Sequence, residues 1–170
     1  MGEYFELTFF LDKKSTAIEK GKEKILELLM LKEGNNLNKQ HQYLLFSHKE
    51  VLFDVFEEDD FIEYRICLSD LIFTKRNFDE KLTQLLQVID ICFNHIESIL
   101  FATGIYELTY YNIEGITLAK DFSKSVFSKF PLLFFRDGNE YGLNPTQRYG
   151  CISCVVNLGG DVQDIFVNQI

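Results

Sequence analysis

Between Phe78 and Ile96, the residues Phe78, Leu82, Leu85, Leu86, Ile89, Phe93 and Ile96 recur at spacings of three and four. This pattern constrains the fold more than any other feature of the chain, because such spacing lines one face of a helix. The opposite face carries Lys81, Gln84, Gln87, Asp90 and Asn94. Asn77 stands at the N-cap position, Glu80 follows at capping-box spacing, and Asp79 favours the positive end of the helix. A helix with one apolar stripe has to lie on an apolar surface, here expected to be a sheet.

The rest of the chain supplies that sheet. Glu3 to Leu11 is nearly continuously apolar after Phe5, the pattern of a central strand. Thr16 and Glu19 are spaced as a capping box for a further helix. Ile18, Ile25, Leu28 and Leu29 mark its apolar side, and Gly34-Asn35-Asn36 ends it. Gln42–Ser47, Val51–Phe56 and Phe61–Leu68 read as strands joined by short polar turns, which makes them an antiparallel meander. Ile99–Tyr111 is open between strand and helix. Its Tyr, Thr and Ile content favours strand, with Gly104 as a bulge or bend. Ile116–Phe130 has a helical period and is closed by Pro131. Leu132–Arg136 and Gly150–Leu158 read as strands, and Glu140–Tyr149 as a loop. Strands therefore come in runs, in the order β-α-β-β-β-α-β-α-β-β, which is an α+β pattern rather than a doubly wound α/β one. The expected architecture is a mostly antiparallel sheet with two or three helices packed on one face. An elaborated ferredoxin-like core is one version of it.

A chain of 170 residues suits a single globular domain over 1–170. Folding a chain of this length hides about 70% of its extended surface, enough for a core without metal or disulfides. That core is expected to be rich in rings, since the chain holds 17 Phe and 8 Tyr. The formal net charge of -9 disfavours nucleic-acid binding, because phosphate backbones repel it, and it speeds encounter with a basic protein partner. The 4 cysteines are too few for a disulfide framework. No apolar run approaches the roughly 20 residues of a membrane span. Met1 to Glu6 lacks the basic and apolar regions of a signal peptide. The expected location is the cytoplasm, and a composition rich in Lys, Ile, Asn and Phe fits a bacterium with a low-GC genome.

Motifs that would carry chemistry are sparse. Cys151-Ile152-Ser153-Cys154 is a CxxC that opens an expected strand. Residues three apart on a strand point to opposite faces, which suits neither a redox pair nor a shared metal. Cys92 and His95 share a helix edge but lack further ligands. Gly159-Gly160-Asp161 lacks the spacing of a phosphate loop, and Ser153 lacks the second glycine of a nucleophile elbow. His41 and His48 flank a short expected strand and are expected to face solvent. No catalytic residue, cofactor or metal site is expected. The densest charge cluster is Glu57-Glu58-Asp59-Asp60, which reads either as a docking surface for a basic partner or as a solvated turn that discourages edge pairing. Tyr106, Tyr110 and Tyr111 would suit a binding surface, since Tyr offers rigid contact area at low entropic cost. The same residues would also fit a strand packed under a helix.

In size, acidity and lack of motifs, the whole chain resembles the small immunity proteins of bacterial polymorphic-toxin systems. That resemblance implies a non-enzymatic intracellular binding protein that neutralises a basic toxin by occlusion, with Glu57 to Asp60 as the docking feature. It carries over no individual residue role. Two other readings stand beside it. One is a small enzyme or small-molecule-binding domain with a pocket between sheet and helices. The other is a structural subunit of a homo-oligomer.

Overall fold

The apolar run after Phe5 becomes β1 (Phe5–Asp12), and it lies inside a sheet, as its two-faced burial requires. The computed structural model describes residues 5–13, 18–28, 41–42, 47–48, 51–57, 61–68, 76–106, 132–138 and 143–156. Within them, side chains are described except at 18–19, 22, 26, 41–42, 47–48, 51–54, 56, 67–68 and 105–106. After β1 come α1 (Ile18–Leu28), the short β2 (His41–Gln42) and β3 (Ser47–His48), β4 (Val51–Glu57) and β5 (Phe61–Leu68). Then follow α2 (Phe78–His95), β6 (Ile99–Tyr106), β7 (Leu132–Arg136), β8 (Gln147–Tyr149) and β9 (Ile152–Val156).

Seven strands form one sheet in the order β4-β5-β1-β6-β7-β9-β8, and every neighbouring pair is antiparallel. The fold is α+β. Its elements β1-α1-β4-β5-α2-β6 place their strands as β4-β5-β1-β6, the split βαβ arrangement of a ferredoxin-like core. β7, β9 and β8 widen that core on the β6 side.

Both described helices pack on one face. Phe5, Leu7, Phe9 and Leu11 of β1 meet Tyr64 and Ile66 of β5, Phe134 of β7 and Cys154 of β9 beneath the α2 stripe, and Ile25 of α1 joins the same cluster. The stripe read from the sequence is buried from Leu82 to Ile96, with Val88 and Cys92 added to it, while Phe78 is partly buried. Each fully buried Phe or Leu contributes about 1.5–3 kcal/mol relative to exposure, so this cluster dominates stability. The opposite face is not uniformly polar. Phe10, Phe61, Phe101, Leu133 and Phe135 form a second buried cluster there, with the Phe10 and Phe101 rings stacked at 4.4 Å.

Several local expectations change. Of the strand expected over Gln42–Ser47, residues 43–46 lie outside the described residues; Gln42 and Ser47 belong to β2 and β3, which pair with each other and place His41 opposite His48. Glu140–Tyr149 is not all loop, since β8 forms the outer edge beside β9. Ile99–Tyr111 resolves as strand through Tyr106. Gly104 is neither bulge nor bend. The register shift falls beside Leu11, whereas a Cβ at Gly104 would come within 2.7 Å of the Phe5 ring. Close packing is what Gly104 permits. Asn77 sits at the N-cap of α2 but makes no side-chain capping bond; its backbone at φ -104, ψ 0 lacks the extended angles that aim a cap. The third helix expected over 116–130, the Thr16 cap and the Gly34-Asn35-Asn36 stop lie outside the described residues.

Candidate functional site

Of the expected acidic docking feature, Glu57 is described, and Glu58, Asp59 and Asp60 lie outside the described residues. Glu57 ends β4, the outermost strand on its side of the sheet, and is exposed. Its Oε1 lies 2.8 Å from Lys13 Nζ, in the turn after β1. Both partners are well solvated, so this pair contributes at most about 1 kcal/mol and is readily exchanged. Tyr106 is the last residue of β6 and pairs with Phe5 in the ladder; its side chain is not among those described, and Tyr110 and Tyr111 lie outside the described residues.

Two further acidic groups stand inside the sheet. Arg65 Nη2 donates to Glu63 Oε2 at 2.8 Å, and its Nε lies 3.6 Å from Glu6 Oε1. Thr8 Oγ1 donates to the same Glu6 oxygen at 3.4 Å. One guanidinium thus serves two carboxylates on the face opposite the helices. Glu63 is 8% exposed, so the group is committed to the sheet rather than offered to a partner.

Among the described side chains, which exclude that of Cys67, the cysteines hold no reactive pair. Cys151 lies in the turn before β9, not in a strand, and packs against the same core that encloses Cys154 and Cys92. Strand alternation therefore does not govern the CxxC. All three are unpaired thiols. Burial pushes Cys92 and Cys154 up to about 12. Burial, then a hydrogen bond to Asp90 and its charge, push Cys151 up to about 11. A thiol held protonated at neutral pH is a poor nucleophile and a poor metal ligand. Asp90 also accepts the Cys151 backbone N–H at 2.8 Å, tying α2 to the β8–β9 turn. Cys92 and His95 diverge, the first buried and the second exposed. Among the described residues, no three His, Cys, Asp or Glu side chains converge to hold a metal ion. None of the described helices is long and apolar enough to cross a membrane.

Among the described residues, a groove of about 720 Å³ lies between α1 and the turn joining α2 to β6. Lys20 and Lys24 line one wall, one helical turn apart, with Gly21 between them leaving room. Asn94, His95, Ile96, Glu97 and Ser98 line the other. It lies beside the helix pair rather than in the expected space between sheet and helices. The spacing of Lys20 and Lys24 is readable in the sequence. Their meeting with residues 94–98 is not, because it depends on how α1 lies against α2. No known family model matches the chain, and no curated protein or solved structure matches it either.

Proposed function

We propose that this chain is a non-enzymatic binding protein that docks a basic protein partner through its acidic outer edge, with neutralisation of a bacterial toxin as its most concrete form. The observation that carries this reading is the net charge of -9, with Glu57 exposed at the end of the outermost strand where the Glu57-Glu58-Asp59-Asp60 run begins. Such a charge accelerates encounter with a cationic surface, while a few buried anchors set the residence time. The Lys13 pair does not oppose this, since a partner's cation can replace an exposed lysine at small cost.

The test is a native pull-down of the tagged chain from its host, followed by binding at graded salt. One stoichiometric basic partner, bound more weakly as salt rises, is the expected result. Replacing Glu57, Glu58, Asp59 and Asp60 by amides should then flatten that salt dependence. Unchanged affinity at low salt would remove the cluster from the interface. A second reading, a small-molecule-binding domain, is favoured by one observation, the cation-lined groove between α1 and the α2–β6 turn.

A further inference from the structure

We infer that the groove between α1 and the α2–β6 turn is an anion site whose ligand is a small molecule carrying a phosphate monoester. The inference deepens the second reading and is independent of the acidic edge.

The charge pattern is local and runs against the whole molecule. In a chain of net charge -9, the described lining of the groove brings together Lys20 and Lys24 with the carboxylate of Glu97. Lysines four apart on a helix hold their Cβ atoms about 6 Å from each other, so both ammonium groups can reach one tetrahedral oxyanion. The apolar side of α1 fixes which way they point. Gly21 and Ile25 are buried, which leaves Lys20 and Lys24 at the edge of that side, along the groove. Lys24 has a Glu27 carboxylate at 3.9 Å, but both are exposed, and a pair that long is easily given up.

A helix C-terminus ordinarily repels anions, because its last carbonyls carry partial negative charge. Here Phe93 O and Ile96 O at that end already have donors. The Arg136 guanidinium donates to Phe93 O at 2.8 Å and to Ile96 O at 2.7 Å. The Ile96 N–H donates to Cys92 O at 2.9 Å, and His95 Nδ1 lies 2.8 Å from Ile91 O. Since a carbonyl only accepts, His95 Nδ1 carries a proton. The Ser98 hydroxyl adds a neutral hydrogen-bonding group, while the Asn94 amide Nδ2 already donates to Asp90 O at 3.0 Å. Lys ammonium groups bind phosphate as point charges, and the volume exceeds what inorganic phosphate fills, which leaves room for the carrier molecule.

The test titrates the full chain with sodium phosphate at constant ionic strength and neutral pH, following the His95 ring and the Lys20 and Lys24 amides by NMR. The expected result is a saturable shift of these signals while those of His41 and His48 stay still. Lys20→Gln with Lys24→Gln should weaken the response at least about tenfold, and Lys20→Arg with Lys24→Arg should retain it. Retained amide spectra in both variants show that the fold is intact. An identical response to chloride, a response that never saturates, or an unchanged response in the Gln variant would each overturn the site. Tighter binding of malonate than of phosphate would overturn the ligand class.

Discussion

The two ends of α2 are held in opposite ways. Its N-terminus carries the residues a sequence reader looks for, Asn77, Asp79 and Glu80, yet Asn77 makes no side-chain cap and the acidic pair is exposed. The first backbone bond, Lys81 N–H to Asn77 O at 2.8 Å, is the ordinary helical one. Its C-terminus has no glycine stop and ends instead at Ile96 with extended angles. The donor there is Arg136, from a strand 40 residues downstream of Ile96. It reaches Phe93 O, Ile96 O and Ile99 O, and its guanidinium lies 5.1 Å from the Phe93 ring centre. At one end the expected cap makes no capping bond, and at the other a distant arginine serves the carbonyls. A cap is therefore an outcome of backbone angles and neighbours, not a property of the residue type alone.

Arg136→Met is the strongest way to break this contrast. It strands several half-buried carbonyls and should cost about 2–4 kcal/mol by urea denaturation. Arg136→Lys should recover only part of that loss, since an ammonium lacks the planar fork that spans three acceptors. A cost below about 0.5 kcal/mol for Arg136→Met would mean that water serves these carbonyls equally well.

Cys92 sharpens the comparison, because it lies in the last turn of α2 and is fully buried. Burial holds its thiol up at about 12 against an ordinary value of 9.0, so a disulfide reagent near pH 8 should label it only after local opening. Arg136→Met should speed that labelling by tenfold or more, as a loss of about 1.4 kcal/mol or more at this end requires. Asn77→Ala should leave the rate unchanged. Equal acceleration by both would show that α2 opens as one unit. The same shift sets a pH trend. An unfolded Cys92 ionises near 9 while the folded one stays protonated, so its stabilising contribution is whole below pH 9 and is lost as pH rises toward 12. Cys154 contributes in the same direction. Urea midpoints should fall across that window, and less steeply in Cys92→Ala.

Smaller effects belong to the N-terminal half. Asn77→Ala should cost under about 0.5 kcal/mol, against about 1 for a working cap. A full 1 kcal/mol would show that a side-chain cap forms in solution. The Gln84 Oε1 is buried without a hydrogen-bond partner, so Gln84→Met should be neutral or stabilising by up to about 1 kcal/mol. A destabilised variant would point to an ordered water on that oxygen.

Legibility followed the range of the interaction. The α2 stripe, the central place of β1 and the antiparallel β4–β5 pair could be read because burial imposes a period on neighbouring residues. The edge strand β8 and the β2–β3 hairpin could not, because short strands near a Pro or among polar residues carry no such period. The acidic run was visible as composition, and Glu57 stands where a docking edge would need it. The groove was invisible, since its lining comes partly from α1 and partly from the end of α2 and the turn that follows.

By itself, the sequence determined the α+β class, the faces of α1 and α2, the acidity and the shortage of catalytic motifs, all of which follow from residue type and near-neighbour spacing. The tertiary structure alone decided the strand order and the dry apolar patch around Phe101 on the second face. It also brought Arg136 onto the end of α2, and Lys20 and Lys24 opposite His95. Those arrangements join residues tens of positions apart, and no periodicity encodes them, because they exist only once the sheet has set which elements lie side by side.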